Sequence, residues 1–221
     1  MFTDRKEAGQ ALAAALDIYR EDVVVLALPR GGVPVGYEIA RALEAPLDVI
    51  VVRKLGAPGE PELGVGAVVD GDHPQTVLNE EVIEALAVSP EYLANEIQAQ
   101  LAEIRRRQEI YRKGRPAPQL AGRTVIVVDD GIATGGTVRA ALRGVRRAAP
   151  AKLVLATPVA PLETVEALRT EVDDLVCLET PSDFEALGQF YHDFRQVGDE
   201  EVILLLERAN SGRDDPPGFE H

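Results

Sequence analysis

Val125-Ile126-Val127-Val128-Asp129-Asp130-Gly131-Ile132-Ala133-Thr134-Gly135-Gly136-Thr137-Val138 sets an apolar β-branched run against two acids, then a loop of small residues, then a helical pattern. A buried strand that feeds a helix through such a loop is the repeating unit of an α/β fold. At the start of that helix the amide N–H groups have no intrahelical partner and the helix dipole is positive, so a phosphate is stabilised there. Gly131, Gly135 and Gly136 let the backbone approach an anion closely, and Thr134 and Thr137 add hydroxyl donors. Asp129 and Asp130 oppose a phosphate by charge. They suit the hydroxyls of a neighbouring sugar, and could also stand near a divalent metal. A phosphate and a vicinal diol at one strand end imply a ribose phosphate. A lysine-bearing phosphate loop is excluded because no lysine follows Gly136, and Gly131 to Gly136 does not supply the Gly-x-Gly-x-x-Gly of a dinucleotide fold.

Outward from this stretch, strands are expected at Val23–Leu28, Leu47–Val52, Thr124–Val128, Leu153–Thr157 and Asp174–Leu178. Each is nearly continuous Val, Ile and Leu, as in strands buried on both faces. Helical patterns near Asp4–Tyr19, Pro34–Leu43, Gly136–Ala148 and Leu162–Glu171 lie between them. The expected fold is therefore α/β: a doubly wound, mostly parallel sheet with helices on both faces. Residues 1–210 would form one domain, followed by a polar, disordered tail over residues 211–221. Two segments interrupt the alternation. Gly56 to Asn79 is rich in Gly and Pro, with candidate strands Val65–Val69 and Thr76–Leu78 about the turn Asp70-Gly71-Asp72, a flexible hairpin. Residues 80–113 form a helical insertion. Its long helix has Ser89 as N-cap and Pro90 at the first helical position, with Leu93, Ile97, Leu101, Ile104 and Tyr111 along one stripe.

The chain carries 23 basic and 37 acidic residues, a net charge of −14, which argues against nucleic acid and anionic lipid as partners. No apolar run approaches the roughly 20 residues that span a bilayer. The N-terminus shows no signal-peptide pattern, and the single Cys177 forms no intrachain disulfide, so a cytoplasmic protein is expected.

The Asp129–Thr137 stretch resembles the signature of type I phosphoribosyltransferases, and strand order and loop placement extend the likeness, more loosely, over roughly residues 20 to 180. The resemblance implies an enzyme that transfers the phosphoribosyl group of 5-phosphoribosyl 1-pyrophosphate (PRPP) to a nucleobase-like nitrogenous acceptor. Pyrophosphate would be released with inversion at the anomeric carbon, with Mg²⁺ as cofactor and a homodimer as the typical assembly. Asp129 and Asp130 would hold the ribose 2- and 3-hydroxyls, contacting Mg²⁺ mainly through the substrate. Ala133 to Thr137 would cradle the 5-phosphate.

Other residues read both ways. Leu28-Pro29-Arg30-Gly31-Gly32-Val33-Pro34 stands where the family binds pyrophosphate, or is a glycine-eased turn with a surface arginine. Arg53-Lys54 would end the second strand and face the crevice at the carboxyl ends of the sheet, neutralising departing pyrophosphate; the bland alternative is a solvated strand end. The hairpin matches the family's flexible catalytic loop, with no role assigned to Glu60 or Glu62. Phe190-Tyr191-His192-Asp193-Phe194 stands near the family's hood over the base, or forms a small satellite core joining the last helix, Glu200–Arg208. His73 and His192 have no partner at catalytic or metal spacing. A rival reading, a PRPP-binding regulator without transferase activity, rests on the basic stretch Arg105–Lys113 alone and is opposed by the net charge. A donor-forming synthetase would need an ATP motif that the sequence lacks.

Overall fold

The computed structural model describes residues 1–71 and 74–211, without the side chains of residues 61 and 62. Asp72 and His73, and residues 212–221 of the expected tail, lie outside the described residues. The central sheet holds β1 (Val23–Ala27), β2 (Leu47–Val49), β6 (Thr124–Val128), β7 (Lys152–Val159) and β8 (Asp174–Glu179) in the order β2-β1-β6-β7-β8. Every neighbouring pair is parallel. Alternate residues of each strand enter different cores, as the period of two requires. Val23, Val25 and Ala27 join one core with Ile126 and Val128, under α1 (Arg5–Ala15), α2 (Gly32–Ala42) and α7 (Asp199–Asn210). Val24, Leu26, Val125 and Val127 join the other, under α5 (Gly136–Arg147) and α6 (Leu162–Arg169). The fold is thus the expected α/β sheet covered on both faces.

Two expectations are corrected. The apolar run Leu47–Val52 is not one strand. β2 stops at Val49, and β3 (Val52–Ala57) opens a second, antiparallel sheet with β4 (Glu60–Val69) and β5 (Gln75–Leu78). The two-stranded hairpin is therefore a three-stranded sheet, turned at Gly59 with φ +78°. A third strand gives this glycine-rich segment the pairing that a lone hairpin lacks. Its position is fixed by close packing on α5, where Val69 Cβ lies 2.9 Å from the site a Gly144 Cβ would occupy.

Between the sheets runs the insertion, split into α3 (Glu80–Ala85) and α4 (Pro90–Arg112). As expected, Ser89 caps α4 by accepting from the Tyr92 N–H, with Pro90 following. Tyr92 Oη donates to the Gly56 carbonyl at 3.1 Å, and Tyr111 Oη to Asp199 Oδ1 at 2.7 Å. Burial pushes the Tyr111 hydroxyl up to about 12.

At the end of α4, Arg112 bridges Asp48 at 2.8 Å and Asp70 at 3.4 Å, and Gln108 Nε2 donates to Asp70. Burial first, tempered by Arg112 and augmented by Asp48, raises the Asp70 carboxyl to about 6. Between its unfolded value near 4 and about 6 the folded chain therefore holds a proton that the unfolded chain has released, and stability falls as pH rises through that window. Asp70→Asn, which keeps the shape without the charge, should be near-neutral at about pH 4 and stabilising by about 2 kcal/mol at about pH 8. A pH-independent difference in chemical denaturation would contradict this.

Candidate active site

β6 delivers Asp129 and Asp130 to the carboxyl edge of the sheet. The Asp130 N–H donates to Asp129 Oδ1 at 2.9 Å, and the Ile132 N–H donates to the Val159 carbonyl at 3.0 Å. The loop is propped from below by α6, where Thr164 Oγ1 donates to the Ala133 carbonyl at 2.7 Å. Gly135, at φ +75°, then turns the chain into α5. Among the described residues no side chain caps α5, and its first turn carries no acid. Ala133, Thr134, Gly136 and Thr137 are exposed. Its leading N–H groups and two hydroxyls are thus turned to solvent and carry uncompensated positive dipole. Desolvation, and next the adjacent Asp130 carboxylate, push the Asp129 carboxyl well above the usual range.

The second glycine loop sits directly against the first. Leu28 N–H donates to the Val128 carbonyl at 2.8 Å, and the Pro29–Arg30 peptide is cis. A Cβ on Gly31 would lie 2.0 Å from Asp130 Oδ2, and one on Gly32 would lie 2.7 Å from the Val128 carbonyl oxygen. Only glycine lets the loops approach this closely. Gly32→Ala must push backbone against backbone, so we expect a loss of about 1–3 kcal/mol in thermal unfolding. An unchanged melting temperature would show that the loops part freely. Arg30, half-buried, reaches toward Asp199 at 3.8 Å.

Arg53 and Lys54 do not end a parallel strand; they lie inside β3, and successive strand residues face opposite ways. Lys54 lines a cavity of about 710 Å³ with Gly64, Thr134, Gly136, Thr137 and Arg139. Arg53 Nε instead donates to Gln100 Oε1 of α4 at 3.0 Å. The structure therefore brings together Arg30, Gly31 and Gly32 with Asp129, Asp130 and the loop to Thr137, sets Lys54 across a cavity from that loop, and holds Arg53 on the other face. The aromatic segment is also placed differently. Phe190 and Tyr191 form a satellite core with Phe2, Ala8 and Val159, so the cluster joins the N-terminus and not the last helix.

Sequence reasoning missed Arg5, and it singled out Tyr191 only as part of the aromatic segment, without its contact to Asp130. Arg5 Nε donates to Asp130 Oδ2 at 2.6 Å, and Tyr191 Oη to the Asp130 carbonyl at 2.6 Å. Arg5 lies in no motif, and for both contacts the first signal is the fold itself. The basic stretch Arg105–Lys113 is largely spent on neighbours: Arg106 and Arg107 pair with Glu103, and Lys113 pairs with Glu207. Among the described residues no group of three His, Cys, Asp or Glu could cage a metal, and no helix is long and apolar enough to cross a membrane.

Comparison with known proteins agrees with this geometry. The family model of the phosphoribosyl transferase domain matches residues 2–195. Two Mycobacterium tuberculosis proteins, named "Putative phosphoribosyl transferase Rv0571c" and "Putative phosphoribosyl transferase MT0597", are each 45% identical over 211 residues, covering 95% of this chain and 47% of theirs. The chain thus spans about half the length of these curated relatives. The crystal structure of TT1426 from Thermus thermophilus is 44% identical, with a TM-score of 0.81 over 94% of this chain and 98% of that one. The chain belongs to the phosphoribosyl transferase domain family.

Proposed function

We propose that this chain binds PRPP and transfers its 5-phosphoribosyl group to a nitrogenous base, releasing pyrophosphate. The observation that carries the reading is the contact of the two glycine loops, with Gly31 against the Asp130 carboxylate at the carboxyl edge of the sheet. That contact supports a reading in which one small substrate meets a phosphate cradle, an acid pair for a diol and a second loop of backbone donors in the crevice where parallel sheets bind ligands.

In this reading the exposed N–H groups and hydroxyls from Ala133 to Thr137 hold the 5-phosphate, and Asp129 and Asp130 accept from the ribose hydroxyls. Gly31, Gly32 and Arg30 receive the pyrophosphate. The bond between the anomeric carbon and the pyrophosphate oxygen breaks with its electrons leaving on pyrophosphate. The acceptor nitrogen then forms the new bond and sheds a proton. Positive charge develops on the ribose ring, so the protein needs no nucleophile. It contributes position and charge, with Lys54 as the cation facing the loop. Asp129 and Asp130 would hold Mg²⁺ that arrives with PRPP, and among the described residues no third carboxylate joins them. When bound, the ion would neutralise the leaving group's charge.

Calorimetric titration with PRPP, with and without Mg²⁺, tests the reading. Magnesium-dependent binding is expected, followed by pyrophosphate release when the right base is supplied from a panel. No binding under either condition would refute the donor site; binding without release from any base would favour a regulator.

A further inference from the structure

Arg5 is an arginine in the wrong place for its own helix. It occupies the first position of α1, capped by Asp4, where the dipole disfavours a cation. Its side chain is nevertheless only 11% exposed, and that of Asp130 is 10% exposed. Three contacts fix the guanidinium: Nε to Asp130 Oδ2 at 2.6 Å, Nη1 to the Arg195 carbonyl at 2.9 Å, and its Cζ over the Phe194 ring, 3.9 Å from the centroid. The Asp130 carbonyl is held as well, by Tyr191 Oη at 2.6 Å. The acid is thus clasped on main chain and side chain by the N-terminal helix and the 190–195 segment, and Gly31 lies close against the same carboxylate.

We propose that Arg5 is a positioning residue for the donor site, occupying Asp130 Oδ2 so that Oδ1 alone is presented to a ribose hydroxyl. This rests on the PRPP reading above. Without the clamp, a buried carboxylate is left between Gly31 and the Asp129 carboxyl and loses the cation that offsets its desolvation. The acid pair is then asymmetric. Asp129 is held by the Asp130 N–H and by no arginine hydrogen bond among the described contacts, whereas Asp130 reaches the sugar in the orientation that Arg5 sets. Lysine cannot replace the arginine, because the contacts need a lateral N–H and a planar face together.

The test is a cycle of four proteins, wild type, Arg5→Gln, Asp130→Asn and the double variant, titrated calorimetrically with Mg²⁺-PRPP, with circular dichroism melting on each. Arg5→Gln should weaken PRPP binding about tenfold to a hundredfold, and the double variant should match Asp130→Asn within about twofold, since both remove one device. Arg5→Lys, which keeps the cation and the stem and so guards against a misfolded glutamine variant, should melt near the wild type yet bind about fivefold more weakly. Independent, multiplicative losses in the double variant would overturn the proposal, as would wild-type affinity in Arg5→Lys. Absence of PRPP binding by the wild type would bring down the donor-site reading itself, and the clamp with it. Binding by the wild type matched by both Arg5 variants would bring down the clamp alone.

Discussion

Asp129→Asn combined with Asp130→Asn is expected to remove magnesium-dependent PRPP binding, with affinity falling by about a hundredfold or more. Each carboxylate that accepts from a hydroxyl makes a charge-assisted hydrogen bond of roughly 1.5–3 kcal/mol, and an amide also presents a donor where the sugar offers one. Two such losses exceed the factor of ten that 1.4 kcal/mol represents. Asparagine keeps shape and volume, so the backbone hydrogen bond between neighbouring residues 129 and 130 can persist through the amide oxygen. Calorimetry reads the affinity, and circular dichroism shows whether the loss is local. A folded double variant that still binds PRPP as tightly as the wild type would mean that the cradle from Ala133 to Thr137 holds phosphate without the acids.

Lys54→Met is the second large effect. Lys54 stands on the face of β3 that shares a cavity with Thr134, Gly136 and Thr137. In the proposed reaction a cation there would act on charge that grows as pyrophosphate departs, more than on the bound donor. Turnover should drop about a hundredfold to a thousandfold, in line with removal of a single preorganised charge-stabilising group. Donor affinity should change less than about threefold, the separation expected of an interaction made chiefly in the transition state. Equal loss in both would assign Lys54 to ground-state binding. The companion Arg53 is tied to Gln100 on the opposite face, so Arg53→Gln gives a comparison on the same strand.

The central sheet was legible because its strands are buried on both sides, and that burial writes unbroken runs such as Val125 to Val128 into the sequence. The two acids and the glycine loop at the end of β6 were legible for a different reason: a turn from a buried strand into a helix needs small residues at fixed places, and such places have few substitutes. The run Leu47–Val52 misled because hydrophobicity does not report a change of partner. Ile50 and Val51 are as buried at the crossing between sheets as any strand residue. The same error hid the divergence of Arg53 and Lys54, which follows at once from strand periodicity when both lie within a strand. Arg5 could not be found at all. Its partner Asp130 is 125 residues away, and nothing local distinguishes it from a surface arginine.

The long helix α4 has a consequence for how this molecule can move. Near its start it holds Gly56 through Tyr92, and midway it holds Arg53 through Gln100. Near its end it holds Asp199, the residue facing Arg30, through Tyr111. The small sheet is therefore hinged to a rod whose far end rests beside the second glycine loop. If the small sheet closes over the crevice as the proposed function would have it, the rod would tilt with it, so cover and floor would be joined by a lever.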